Sequence, residues 1–520
     1  MKKRWFYRRA RVISAEFARL ALVGFAILAL GSQVRAQTLR PDHWLSDHLR
    51  FEQLRGRYWE LSPTERPLRM QDWSRLQDSL SRTADHDLQE FAEARRLFFA
   101  QLPQEPETLL IWVHSRNQGI FDDSEFRYDG RHILTLGMPV TEWLDAYTSV
   151  LGDNRLDEEP AYIGKEQSGM AGYTEQAYLQ GRWGKFSAKF GRDYLRWGTG
   201  RDATLLMSEV SRPLDHLGLR YDSRLFSYTY LTAVLEPKYL TIEEERVRCN
   251  RYLSGHRIEI KARRNLRIGI NETVLFGGPD RGYSFAYVNP FIFYHGETMN
   301  GPDGGNSIGS IDATWMPSAA VTLYGNFLID DIQLENSSPG DREPDQLGCL
   351  LGVNWADPFD WRHADAYLEY TRITNRTYNG EGGEWEKWLH RGRPIGHFLG
   401  NDFDRVLAGL HWWPQPSWAV ECRFEHRRHG EGRIENAFDK PWIDLPVDQT
   451  YHEPFPFGIV ETVQQLDMEL FWQLNPWLTV RLSTVWATVR NAENQRGRNE
   501  SQRGAILAVN WDFMQTIRLR

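Results

Sequence analysis

From about Thr108 to the C-terminus, apolar and polar residues alternate with a period of two. The clearest copy of the pattern lies between Val463 and Val489. Leu466, Met468, Leu470, Trp472 and Leu474 alternate there with Gln465, Asp467, Glu469 and Gln473. Asn475-Pro476 interrupts the run, because proline supplies no N–H to a ladder. Leu478, Val480, Leu482 and Trp486 then resume on one face, with Thr479, Arg481 and Ser483 on the other. Period two means strands with one apolar and one polar face. Each arm has about ten residues, the length that a tilted strand needs to cross a bilayer. The same reading predicts strands at 108–117, 125–137, 141–151, 175–182, 185–193, 217–222, 225–235, 256–263 and 266–275. It continues at 307–315, 320–331, 347–355, 364–373, 405–413, 418–427, 463–474, 477–489 and from 504.

The connections alternate in length. Short ones include Arg264-Asn265, Met316-Pro317-Ser318, Asp357-Pro358-Phe359-Asp360, Pro414-Gln415-Pro416 and Asn475-Pro476; long ones include 236–255, 276–306, 332–346, 374–404, 428–462 and 490–503. Tight periplasmic turns and extended outer loops are the pattern of an outer-membrane barrel, and an even strand count puts both barrel ends on the short-turn side. Trp315, Trp355, Trp361, Trp412, Trp413, Trp418 and Trp477 flank the short turns and predict an inner aromatic girdle. A soluble multi-sheet protein would also alternate, but it has no need of the long–short rhythm. The final strand ends on Arg520 rather than an aromatic, while Ile517 and Leu519 keep the parity of Trp511 and Phe513.

The first hundred residues differ. Lys2, Lys3, Arg4, Arg8, Arg9 and Arg11 precede an apolar run from Leu20 to Leu30, and Val34-Arg35-Ala36 meets the small-x-small rule. This predicts a signal peptide, 1–36, cut after Ala36. Within 37–106, Leu45, Leu49, Leu54, Tyr58 and Leu61, then Trp73, Leu76, Leu80, Leu88, Phe91 and Leu97, recur at helical spacing. They predict a small helical module on the periplasmic side, and 107–520 then forms the barrel. No later stretch of this 520-residue chain is apolar enough for a spanning helix. Net charge is −8, which gives no basic footprint for nucleic acid. Cys249, Cys349 and Cys422 are too few and too scattered for a disulfide framework or a metal site, and no cofactor motif is present.

Three stretches together resemble the Wzi capsule-assembly family of outer-membrane proteins. The first is Gly191-Arg192 followed by Trp197-Gly198-Thr199-Gly200 and Leu205-Leu206-Met207-Ser208. The second is Tyr252-Leu253-Ser254-Gly255-His256-Arg257, continued by Gly269-Ile270-Asn271-Glu272 and Tyr287-Val288-Asn289-Pro290. The third runs from Pro394 through Gly396-His397 to Asn401-Asp402, and Leu54-Arg55-Gly56 with Arg66-Pro67 is similar to the family's N-terminal module. The resemblance implies an eighteen-stranded barrel on a periplasmic helical base. It also implies a lectin-like role in holding capsular or other surface polysaccharide. Its implied partners are that polysaccharide, outer-membrane lipid and lipopolysaccharide, and the polysaccharide export machinery.

Candidate polysaccharide-binding or lumen residues follow from these motifs. Trp197, Gly198, Gly200 and Ser208 belong to a loop that either folds into the lumen or makes an ordinary turn. Strand parity sends Arg257, Glu259, Lys261, Arg263, Arg267 and Asn271 inward, opposite Ile258 and Ile260. His256 begins this strand, Glu272 has lipid-side parity, and Asn289 belongs to the following loop. Trp385, Trp388, His397, Asn401 and Asp402 lie in a long loop where aromatic faces, amides and carboxylates suit sugars. Asn300 to Asn306 is rich in oxygen ligands but lacks calcium-loop spacing. A diffusion porin shares every strand-level feature and is the alternative. Catalysis is not expected: Ser254 and His256 lie close together, but the sequence shows no acidic orienter.

Overall fold

The computed structural model describes residues 44–519 except 58, 60, 67–106, 123–124, 160–161, 243, 302–303, 334–341, 416 and 446–450. The predicted signal peptide, most of the helical module and part of the 300–306 turn lie outside the described residues.

Eighteen strands form one closed antiparallel sheet. They are β1 Thr108–Asp122, β2 Phe126–Pro139, β3 Leu144–Asp153, β4 Ala171–Trp183, β5 Phe186–Asp193 and β6 Leu214–Asp222. Next come β7 Phe226–Val234, β8 Glu245–Arg263, β9 Leu266–Pro279, β10 Asn306–Ser318, β11 Val321–Asp331 and β12 Gln346–Ala356. The set ends with β13 Ala364–Ile373, β14 Phe403–Gln415, β15 Trp418–His429, β16 Glu461–Asn475, β17 Leu478–Arg490 and β18 Glu500–Arg518. Each strand pairs with its chain neighbours, and β1 closes the barrel on β18 from Thr108–Arg518 to Asp122–Gly504. Closure removes the sheet edges, so every ladder N–H and C=O has a partner without water.

All eighteen predicted strands are present. The 236–255 segment differs from its predicted loop: Lys238–Ile242 pairs with Glu245–Cys249, and this hairpin extends β8 beyond the closed sheet. Exposed Glu245, Arg246 and Arg248 remove the apolar alternation that marks a strand within the bilayer. The outer wall carries half-exposed Ile258, Ile270, Ile311, Phe327, Leu351, Leu368, Leu466, Leu482 and Leu507, whereas Arg257, Glu259, Asp312, Asn326, Glu369 and Glu425 are buried inside. The period-two pattern thus becomes a lipid-facing wall and a polar lumen. At the short-turn end, Trp361 lies 5.3 Å from Trp412, which lies 6.0 Å from Trp418. Trp413 departs from the predicted girdle. It has the opposite parity to Trp412, is buried, and packs inward on His411 and Phe471 at 5.3 and 5.6 Å.

The lumen is not an open tube. Inward apolar residues of β6 to β14, among them Leu231, Leu253, Leu275, Leu328, Leu350 and Phe403, pack against residues of two loops that fold inside. The 194–213 loop supplies Trp197, Leu205, Leu206 and Met207; the 374–402 loop supplies Tyr378, Trp388, Leu389 and Ile395. A hydrophobic plug therefore fills the β6–β14 side. On the opposite side β15–β18 and β1–β3 turn many polar residues inward, and several of these are only partly covered. Arg423 and Arg481 keep 33% and 24% side-chain exposure, and Arg131 keeps 39%.

An N-terminal segment meets the plug from the short-turn end. Helix α1, Trp44–Gln53, is followed by buried Leu54, Leu61 and Thr64. Glu65–Arg66 then pairs as a short strand with Arg196–Trp197. Arg55 anchors this segment to Asp357 Oδ1 of a short turn at 2.9 Å.

The apolar outer wall has a direct energetic test. Replacing Leu507, on the lipid-facing side of β18, with arginine should destabilise the barrel by about 2–4 kcal/mol if it sits near the bilayer midplane. Urea unfolding in lipid vesicles reads the change; a Leu507→Arg barrel as stable as the parent would place this face away from lipid.

Candidate functional site

The chain builds two arrangements around the predicted residues, one inside the barrel and one on its outer wall. Inside, the Trp197–Gly200 loop folds into the lumen. Trp197 is 1% exposed and donates its backbone N–H to Met207 at 2.9 Å; the Gly198 N–H donates to Thr64 O at 2.9 Å. Gly198 and Gly200 have φ of +113° and +148°, and a Cβ at Gly200 would lie 1.8 Å from the Ala203 carbonyl. Only glycine fits this reversal. Ser208 is buried, and its N–H donates to Ile395 O at 2.8 Å, tying the two inward loops together.

Below the plug lies a network of buried charge. Arg257 forks onto Asp312, at 2.5 Å to Oδ2 and 3.1 Å to Oδ1, and donates to Asn271 Oδ1 at 2.5 Å and Thr64 Oγ1 at 2.7 Å. Glu259 accepts from Ser62 at 2.5 Å, Thr64 at 2.6 Å and Arg267 at 2.8 Å. The N-terminal segment thus completes the shell around two charges that would otherwise be buried without enough partners. A second network holds the far end of the inward loop. Arg201 lies 3.4 Å over the Tyr367 ring and donates to Glu421 at 3.0 Å; Asp202 accepts from Arg405 at 2.6 Å, and Arg405 also binds Glu425.

The long loops close the other end. Trp388 is fully buried and donates Nε1–H to Leu206 O at 2.9 Å; His397 is buried between Phe398 and Phe403, with centroids 4.6 and 4.7 Å away. Burial, reinforced by the Arg405 charge, holds His397 well below its usual range and therefore neutral. Asn401 is buried, its carbonyl 3.0 Å from His429 Nε2. Asp402 accepts from the Phe457 N–H at 2.9 Å and the Gly432 N–H at 2.8 Å. Trp385 is half-buried, and its carbonyl accepts from Arg251 Nε at 3.0 Å. Arg251, absent from the predicted set, also donates to the carbonyls of Lys387 at 2.6 Å and Leu389 at 2.9 Å. Its inward parity with Leu253 and Arg257 was the available signal.

His256, Glu272 and Asn289 belong elsewhere. His256 and Glu272 face each other across β8 and β9 on the outer wall, with Nε2 and Oε2 3.0 Å apart. The 280–305 loop folds over them. Tyr294 stacks on His256 at 4.7 Å, and the His295 N–H donates to Glu272 Oε1 at 2.7 Å. Glu272 keeps its lipid-side parity in regular register, and the loop covers it. Glu272 is the acidic partner that the sequence did not reveal for His256, yet Ser254 is fully buried and its hydroxyl lies 3.0 Å from Thr232 Oγ1. Asn289 is exposed at the end of a short helical turn, its Oδ1 accepting from the Phe291 N–H at 3.1 Å.

Among the described residues one carboxylate group has metal-ligand proximity: oxygens of Asp331, Glu343 and Glu381 lie within 4.8 Å of one another. Gln333, Gln346 and Lys440 already hydrogen-bond to them at 2.9, 2.6 and 2.5 Å. Burial and the adjacent Glu381 push Glu343 upward, so this pair holds a proton at neutral pH.

Asp402 carries a pH dependence. Burial pushes its carboxyl up to about 6, against two N–H donors that favour the anion. The unfolded value is about 4. Between these values the folded state binds the extra proton, so loop stability falls as pH rises from about 4 to about 6 and then levels. Hydrogen exchange of the Gly432 and Phe457 amides, corrected for its intrinsic pH dependence, should quicken over that window. Asp402→Asn should flatten the profile and loosen the loop by about 1–3 kcal/mol, since one backbone N–H then faces an NH₂ group. An unchanged profile would refute this role.

A family model described as Capsule assembly protein Wzi matches residues 141–503. No curated protein matches the chain. Among solved structures, Wzi of Escherichia coli, described as a carbohydrate-binding β-barrel involved in group 1 capsule assembly, is 15% identical with a TM-score of 0.63, covering 92% of this chain and 100% of that one. Pseudomonas aeruginosa OprD is 11% identical with a TM-score of 0.44, covering 78% of this chain and 95% of its own. P. aeruginosa opdK is 12% identical with a TM-score of 0.45, covering 79% and 100% respectively. The family match spans well over half of the sequence, from β3 into β18, and the chain belongs to the Wzi capsule-assembly family.

Proposed function

We propose that this barrel is a non-catalytic, outer-membrane polysaccharide-binding protein that retains capsular or exopolysaccharide at the cell surface. The observation that carries the reading is the filled lumen. Two inward loops and an N-terminal segment are locked by buried ion pairs and a continuous apolar core, which favours holding over conduction. The family supports a role in capsule assembly. The E. coli relative, described as carbohydrate-binding, supports sugar as the ligand.

The partly covered inner wall is the surface offered to a sugar chain. Arg423 is 3.1 Å from Asp467, and Arg481 is 2.7 Å from Glu469. Such pairs present donors and acceptors together, which suits vicinal hydroxyls. The plug residues Trp197, Trp388, His397, Asn401 and Asp402 would then shape this wall from behind. In this reading residues 1–36 are removed on export, 37–106 stand on the periplasmic side, and the export machinery delivers the polysaccharide.

Deleting the protein should move polysaccharide from the cell surface into the medium while total synthesis holds. The Arg481→Ala/Glu469→Ala double variant should reproduce at least part of that release with normal barrel levels. Unchanged retention in the deletion would overturn the assignment. In planar bilayers the purified barrel should show no large steady conductance; a stable open state would favour the porin alternative.

A further inference from the structure

The outer wall carries a feature that a purely lumenal sugar-binding role does not use. Two adjacent rows of outward residues cross β5 to β9. Register sets Phe190, Leu217, Thr232, Ser254 and Val274 in one row, and Arg192, Asp215, Val234, Tyr252 and Phe276 in the next. The 280–305 loop covers the β8–β9 part, where Tyr287 and Tyr294 pack on Val274 and Phe276. It reaches β7 through Tyr228 and Tyr230 and stops short of β5 and β6. The remaining space is a cavity of about 940 Å³ between the wall and the loop, bounded by Phe190, Leu217, Val234, Tyr283, Phe285 and Val288.

The cavity is pre-formed, because the loop is pinned to the wall. The Tyr230 hydroxyl donates to Val288 O at 2.6 Å, the Tyr228 hydroxyl donates to Pro290 O, and His256 and Glu272 hold the loop's middle. The loop also turns apolar groups outward: Phe285, Phe291, Phe293 and Met299 are 85%, 83%, 66% and 71% exposed. Beside a lipid-facing wall, that much exposed apolar surface is continuous with the bilayer contact.

The cavity's rim is cationic. Arg192 binds Asp215 through two hydrogen bonds at the cavity edge. Arg391, at the tip of the hairpin between His390 and Arg393, lies close enough to Arg192, Arg212 and Asp215 to sense their charges. Burial, and next the Arg192 charge, lower the Arg391 guanidinium from its ordinary value, while Asp215 and Glu236 act in the opposite sense. Arg212 and Arg393 share the Glu159 carboxylate nearby.

We propose that this outer-wall cavity seats an acyl chain of a phosphorylated outer-leaflet glycolipid of the lipid A class, with its phosphate at the Arg192–Arg391 rim. The apolar lining, the continuity with the lipid-facing wall and the charge of the rim all favour this occupant. A phosphate at the rim would add charge-assisted bonds to guanidinium groups.

Native mass spectrometry of the detergent-solubilised full barrel, with added bisphosphorylated lipid A or phosphatidylethanolamine as probes, tests the site. The parent should retain one lipid A per barrel in preference to phosphatidylethanolamine. Val234→Trp, which fills the cavity, should lower that retention at least tenfold. Arg391→Gln should lower lipid A retention without changing phosphatidylethanolamine. Leu323→Trp, on the wall far from the cavity, should match the parent, and heat-modifiable migration confirms that each variant is folded. Parental retention by folded Val234→Trp overturns the proposal, and so does equal retention of the two lipids.

Discussion

Everything in this molecule depends on the backbone having no water to bond within a bilayer. A closed sheet meets that demand, and it then forces each strand to turn one row of side chains to lipid and the other inward. Arg257, Glu259, Asp312 and Arg267 are inside because their strand positions leave no other choice. Once inside, they need partners. Removing one member of a buried ion pair leaves an uncompensated charge, which costs about 3–5 kcal/mol. The lumen is accordingly organised by pairing, with Arg257–Asp312 and Arg405–Glu425 as its fixed points.

The N-terminal segment belongs to the same accounting of partners. Ser62 and Thr64 donate to Glu259, and Glu65 accepts from Thr229 and pairs with Arg220. These contacts join residues 155 to 197 positions apart. They also explain why the inward Trp197–Gly200 loop has a fixed shape: Glu65–Arg66 pairs with Arg196–Trp197 inside the barrel. A barrel without this segment would have an unfilled hydrogen-bond shell around Glu259.

The strands were readable because each sits between lipid and lumen, and that contrast writes itself into alternate residues. Where the contrast is missing, the sequence was silent or misleading. The hairpin extension at 238–249 stands beyond the closed sheet and carries charge on exposed positions, so it read as a loop. Trp413 read as girdle because its residue type matched, although parity with Trp412 already assigned it inward. The motif residues were legible as a set, but their grouping was not. His256 and Arg257 are neighbours in sequence yet lie on opposite sides of the wall. Arg251 fastens the 385–389 segment through three backbone carbonyls, and contacts of that kind leave no trace in local pattern.

His256 and Glu272 put a polar pair on the face that the barrel reserves for lipid. Left bare there, both groups would face hydrocarbon without enough partners. The 280–305 loop resolves the conflict by stacking Tyr294 on the imidazole and donating a backbone N–H to the carboxylate. The polar pair thus serves as the anchor for a loop that would otherwise have little reason to lie down along the wall. Because the anchor sits on β8 and β9, the loop covers those strands and ends at β7. The cavity over β5–β7 follows from where the anchor is placed, and its apolar lining follows from the parity of the strands beneath it.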